Sequence, residues 1–296
     1  MTTIANWNID GKSHEKNFKS IVFLGVLWLS LFVAFLFLII LLVTTAMNGW
    51  GRYDLRLFTT YNNTTPADAG ARAAILGSLF VVSVTALMAI PVGIAAAVYL
   101  EEFADRTKWF NKVIELNIQN LAAVPAILYG MLTLGILTLF GLKNKNVVIG
   151  GSLALALLIL PVVILTTREA LRAVPQEIRD GSLALGATEV QTVTKQTLPA
   201  AIPGIATGTI LAVSRAIGES APLLLLGALS FVTFNPTGLD SGFTILPLAI
   251  FKYASDSREE FQVLASAGSL ILLAILFAMN LFAILLRDYT LRKRNI

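Results

Sequence analysis

Arg215 and Glu219 stand four residues apart inside an apolar stretch, 204–229, that is long enough to cross a bilayer. An arginine at the centre of such a helix costs about 2.5–3.5 kcal/mol on insertion scales, so its presence needs a physical reason. At this spacing the two side chains share one helical face and can neutralise each other. Two readings follow. The pair is either a self-satisfied ion pair lining a helix contact, or a fixed positive charge, gated by Glu219, on the path of an anion. The planar guanidinium fork donates two parallel hydrogen bonds and suits a tetrahedral oxyanion. Pro222, three residues further on, frees backbone groups near the same point.

The elements that must position these residues belong to a membrane protein. The 296 residues are 56% hydrophobic and 14% charged, against about 25% charged in soluble domains, and the mean hydropathy is +0.77. Six stretches are long and apolar enough to span: 21–47, 73–100, 119–141, 147–167, 204–229 and 262–286. The first is too long for a cleaved signal and reads as a retained span behind a polar tail, 1–20. Lys and Arg concentrate in the loops on the side of both chain ends, which predicts cytoplasmic termini and a basic cytoplasmic tail over 287–296. The formal charge of +4 is spread by loop, so there is no nucleic-acid footprint. With no cysteine and one histidine, His14, in the tail, thiolate or two-histidine metal sites are excluded. No nucleophile–base constellation exists, so no catalytic residue is assigned. Gly11-Lys12-Ser13 imitates the end of a phosphate-cradling loop, but Asn6 stands where its leading glycine belongs. Any ATP is therefore used by a partner.

Two loops exceed what connection needs. In 168–203, Pro175 suits a helix first turn, Gly186 a cap or bend, and Thr188 with Gln191 a capping box. Val190, Val193, Thr194, Thr197 and Leu198 then follow one helical face, which Pro199 and Pro203 are expected to stop. The result is two short helices with a glycine elbow, a docking shape. In 230–261, the run 243–251 is too short to span. It is a re-entrant or interfacial helix, a lid-like surface for a partner, or a surface helix packed on its own protein. Gly204 and Gly208 permit close helix approach, within the chain or to a partner. The acidic runs Glu101, Glu102, Asp105 and Asp256, Glu259, Glu260 read as solvated faces.

Asp180-Gly181-Ser182, Gly186 and Leu198-Pro199 keep the frame, though not every letter, of the EAA loop and so resemble the ABC importer permeases. Gln196 stands at that loop's usual isoleucine. Tyr99-Leu100-Glu101-Glu102, the run from Asn117 to Pro125 and the run from Ser214 to Leu224 resemble the A-type permease of phosphate-specific ABC transporters. The likeness extends over residues 71–286. It implies an all-α type I importer permease of six transmembrane helices with cytoplasmic coupling helices, in the plasma (inner) membrane of a bacterium or archaeon. It implies a heterodimer with a C-type permease subunit, two ATPase subunits that use ATP-Mg, and an extracytoplasmic phosphate-binding protein. This chain would bind no cofactor and catalyse nothing itself. The resemblance further implies that Arg215, Glu219 and Arg168 line the substrate pathway. Asp180, Gly181, Ser182, Leu185, Gly186, Ala187, Leu198 and Pro199 would form the ATPase coupling surface. Another oxyanion (sulfate, molybdate or phosphonate) is the neighbouring alternative. A stand-alone secondary transporter and a regulatory scaffold are the distant ones.

Overall fold

A computed structural model describes residues 18–292 apart from 106, 143, 144, 229 and 230. Most of the polar tail, with His14 and Gly11-Lys12-Ser13, and residues 293–296 lie outside the described residues. The helices are α1 (Phe18–Trp50), α2 (Leu55–Thr59), α3 (Arg72–Val98), α4 (Trp109–Ala122), α5 (Ala126–Leu139) and α6 (Val148–Arg172). They continue with α7 (Gln176–Ala184), α8 (Glu189–Thr192), α9 (Leu198–Gly218), α10 (Ala221–Leu225), α11 (Leu246–Ala254) and α12 (Glu259–Arg292). Wider π-turns, Tyr99–Phe103 and Val193–Thr197, extend α3 and lead into α9.

Residues up to Met47 form one unit and Asn48–Ile296 a second. The first is nearly all of α1, whose 33 residues reach about 50 Å at 1.5 Å per residue, more than the roughly 30 Å of a hydrocarbon core. Its Ser30 and Thr44 hydroxyls donate to carbonyls three or four residues back, so they add no orphaned polar group.

In the second unit α3, α6 and α9 pack side by side around a core of Ala, Val, Ile and Leu. Small polar residues lock the α3–α6 seam: Ser152 Oγ donates to the Val81 carbonyl at 3.1 Å and Thr85 Oγ1 to the Ser152 carbonyl at 3.3 Å, all buried. Between α6 and α9 the approach is closer. A Cβ on Gly208 would stand 2.4 Å from Thr166 Cβ, and one on Gly204 would stand 2.6 Å from Ala170 Cβ. The small-residue pair therefore serves packing inside the chain.

Three expectations change and one open reading closes. The 119–141 stretch is not one straight helix: α4 and α5 meet at a 113° bend over Ala123–Pro125. Proline disfavours the helical conformation at the residue before it, here Val124, and ends α4. The 204–229 stretch breaks after Gly218. Pro199 and Pro203 do not stop the preceding helix; both lie within α9. The π-turn lets Leu198 N–H bond back to the Val193 carbonyl, and this expansion accommodates Pro199. The 243–251 run yields α11, which packs on α12 and α3 with Leu246, Leu248, Ala249 and Tyr253 buried. Tyr253 donates to the Gly70 carbonyl at 2.9 Å and to Asn62. That is the surface helix packed on its own protein.

Candidate functional site: a broken-helix elbow and a charged joint

Two helix breaks lie side by side. At the first, the Tyr129 hydroxyl donates to the Leu121 carbonyl at 2.6 Å, satisfying a carbonyl that the end of α4 leaves open. At the second, α9 ends because the Pro222 ring would meet the carbonyl four residues back, that of Gly218. Glu219 is extended (φ −87°, ψ 121°) and its Oε1 accepts from Ala221 N at 3.4 Å, holding the first turn of α10. α10 lies against α5 so closely that a Cβ on Gly130 would stand 2.3 Å from the Pro222 carbonyl oxygen.

The break separates the two charges that the sequence places on one helical face. Arg215 remains in the last turn of α9 while Glu219 lies beyond it, and they form no ion pair. The helical spacing assumed a helix running through 219, which Pro222 prevents. Arg215 is exposed, and among the described residues no carboxylate pairs with it. Its neighbours Ala212 and Ala216 lie in one buried cluster with Tyr129 at the elbow. They pack there with Ala89, Ile159 and Val163, at the middle of α3 and α6. An unpaired cation thus sits at mid-length of the packed helices, beside both breaks.

Arg168 is placed differently. It is buried at the other end of α6, with Nε donating to Glu101 Oε2 at 3.1 Å and Nη2 to Glu115 Oε1 at 2.8 Å. Arg172 Nε donates to the other Glu101 oxygen at 2.8 Å. The adjacent Glu102 takes both Arg179 Nη2 (2.8 Å) and Nε (3.3 Å) from α7. Glu101 and Glu102 are consequently not a solvated run: their side chains are 4% and 8% exposed. Glu115, Arg172, Arg179 and Tyr129 were not singled out by type and spacing. Their partners stand 53 to 77 residues apart for the charges, beyond the reach of any local pattern. The one available signal is sign: two adjacent carboxylates and three arginines, 168, 172 and 179, in loops assigned to the same side.

The segment between α6 and α9 has the expected elbow. Gly186 has φ +84°, which only glycine adopts cheaply, and its N–H returns to the Leu183 carbonyl at 2.9 Å. Thr188 and Gln191 form the reciprocal capping box. Pro175 precedes α7 as its N-cap rather than sitting in its first turn. Asp180, Gly181, Leu185 and Gly186 are exposed, and Ser182, Ala187, Leu198 and Pro199 half-buried. Leu183 and Val190 add apolar surface around an almost fully exposed Leu185. Away from the spans, the side chain and backbone N–H of Arg258 hold the Asp256 carboxyl down at about 2.

Among the described residues five helices are long and apolar enough to cross a membrane, six if the bent α4–α5 pair is one span. With an elbowed polar element at one end of α6 and, at mid-length, a cation that no described carboxylate pairs, they have the form of a multi-span transport permease. The chain belongs to the family described as binding-protein-dependent transport system inner membrane component, which matches residues 89–295. It is 31% identical to the phosphate transport system permease protein PstA of Haemophilus influenzae over 280 residues, covering 92% of this chain and 93% of that one. It is 32% identical to the probable ABC transporter permease protein YqgI of Bacillus subtilis over 250 residues (80% and 84%). Among solved structures, a bacterial alginate ABC transporter in complex with an alginate pentasaccharide-bound periplasmic protein superposes with a TM-score of 0.66 at 16% identity, covering 90% of this chain and 94% of that one. The MetNI methionine ABC transporter in an inward-facing conformation gives 0.59 at 15% identity (73% and 94%). The fold is that of the type I ABC importer permeases, and the chain is a transporter subunit rather than an enzyme.

Proposed function

We propose that the chain is the A-type permease subunit of an ATP-driven importer of inorganic phosphate. The observation that carries this reading is Arg215: an exposed guanidinium without a carboxylate partner among the described residues, at mid-length of the packed helices. Lipid cannot cover such a group without the insertion penalty, so the face of α9 that bears it lines a polar path or meets a partner subunit. A second, C-type permease completes that path, and phosphate passes Arg215 by accepting the guanidinium fork. The phosphate transport permeases among the relatives support this substrate.

Glu219 fixes the helix break and adds a negative charge next to the cation. Arg168, saturated by Glu101 and Glu115, acts in the joint below the path and does not contact the anion. The α7–α8 pair, residues 175–199, faces the cytoplasm with both chain ends and docks in a cleft of an ATPase; the complex holds two ATPase subunits, which use ATP-Mg. Their closure moves the pair, and the cavity between the permeases opens outward to take phosphate from an extracytoplasmic binding protein. The test is uptake of radiolabelled phosphate by vesicles holding the assembled complex, with sulfate, molybdate or phosphonate as competitors. ATP-dependent uptake that only phosphate competes for is expected. Preferential competition by another oxyanion reassigns the substrate, and uptake without the ATPases refutes the class.

A further inference from the structure

The helix α7 is held in an unusual way. None of its nine residues is buried, so it has no apolar core contact to fix it, only the half-covered Ile178 and Leu183. Clefts of about 470 Å³ and 170 Å³ flank it, the larger running along Pro175 and Gln176 and the smaller along Leu183 and Thr192. Between them stands one side chain. Arg179 spends its fork on both Glu102 oxygens, and also donates from Nη1 to the Val174 carbonyl at 2.8 Å and from Nη2 to the Leu171 carbonyl at 2.9 Å. Arg179 is 15% exposed and Glu102 8%. At the smaller cleft α7 also touches α8 through Ser182 Oγ and Thr192 Oγ1, 2.8 Å apart.

Glu102 sits on the π-turn that ends α3, next to Glu101. Glu101 binds Arg168 and Arg172 of α6, and Arg168 binds Glu115 of α4. Seven residues beyond Glu115, α4 ends at the 113° elbow, where Tyr129 shares a buried cluster with Ala212 and Ala216, which flank Arg215. A series of ion pairs, continued by the last two turns of α4, therefore runs from α7 to the elbow. π-turns of this kind are strained irregularities that recur at functional positions.

We propose that the Arg179–Glu102 pair is the latch that transmits movement of α7 to α3 and, through the Glu101–Arg168–Glu115 bridge, to the α4–α5 elbow. With no residue buried in the core, α7 swivels between its two clefts, while the bidentate pair forces the π-turn to follow. Arg179 and Glu102 are positioning residues and touch no substrate. The proposal rests on the reading of α7 as part of the ATPase-docking element.

The test is the ratio of phosphate taken up to ATP hydrolysed, measured on the assembled complex in vesicles for wild type, Glu102→Gln, Arg179→Gln and the double variant. Glu102→Gln is the decisive variant, because it weakens the pair while Arg179 keeps its bonds to the Leu171 and Val174 carbonyls. Stimulated ATPase activity should persist while uptake per ATP falls about tenfold, in the range of ordinary coupling energies. The double variant should be no worse than Arg179→Gln alone, since both changes remove the same link. An unchanged ratio in Glu102→Gln overturns the latch, including the case where uptake and ATPase fall together. Losses that multiply in the double variant overturn it as well. Failure of the phosphate reading is separate: there the wild-type complex itself takes up no phosphate.

Discussion

Replacing Glu101 by glutamine is the sharpest test of what the charged joint does. The carboxylate is 4% exposed and binds Arg168, itself 6% exposed, at 3.1 Å, and Arg172 at 2.8 Å. Breaking a buried ion pair from one side costs about 3–5 kcal/mol, because the remaining charge is left desolvated. Arg168 keeps Glu115, and the glutamine oxygen still accepts one bond, so the loss falls at the lower end, about 3 kcal/mol. Glu115 is 37% exposed, and the same change there costs about 1 kcal/mol or less, since solvent replaces the lost partner. Thermal unfolding of the purified complex in a fixed detergent reads the difference. Glu101→Gln should lower the midpoint by roughly 6–12 °C and Glu115→Gln by a third of that or less. Below its midpoint the Glu101 variant should keep its affinity for phosphate. Equal shifts for the two variants, or a changed affinity without a stability loss, would refute a structural role for this bridge and return Arg168 to the path.

Gly130→Ala puts a methyl group 2.3 Å from the Pro222 carbonyl oxygen; α5 and α10 must part, at about 1–3 kcal/mol, and uptake should fall while ATPase subunits still assemble. Gly186→Ala meets no neighbouring atom and pays only for φ +84°. Hydrogen exchange at the 186 and 187 amides should then speed up about fivefold, the factor for about 1 kcal/mol, with the spans unaffected. Asp256 is ionised well below its ordinary range, so its contribution is complete above pH 3.8 and is lost as the pH falls towards about 2. Exchange at the Arg258 amide, which donates to Asp256 Oδ1 at 3.0 Å, should show that loss, and Asp256→Asn should abolish the pH step.

The spans were legible because apolar length alone decides them: 21–47, 73–100 and 262–286 lie within observed helices, 73–100 running on into the π-turn of α3, and 147–167 does so from its second residue, Val147 being the N-cap of α6. The glycine elbow was legible too, since Gly186 and the Thr188–Gln191 pair act within a few residues of themselves. Hydropathy carries no direction, however, so a stretch bent by 113° at Val124-Pro125 reads like a straight one. Pro125 held the missing information, and so did Pro222 for the break after Gly218. The acidic pair Glu101-Glu102 misled for another reason. Whether a charge is solvated depends on partners that the fold brings from α6 and α7, and no spacing within 99–105 reveals them.

The central claim is that Arg215 binds the travelling anion. Its most direct test is the rate of phosphate uptake by vesicles with the complex carrying Arg215→Gln, alongside Arg215→Lys. Arg215 pairs with no described carboxylate, so neither change strands a buried partner and assembly should be normal. Charged hydrogen bonds are worth about 1.5–3 kcal/mol, which predicts a tenfold to hundredfold loss for glutamine, with lysine between, because it keeps the charge without the fork. Wild-type uptake by the glutamine variant would contradict the claim.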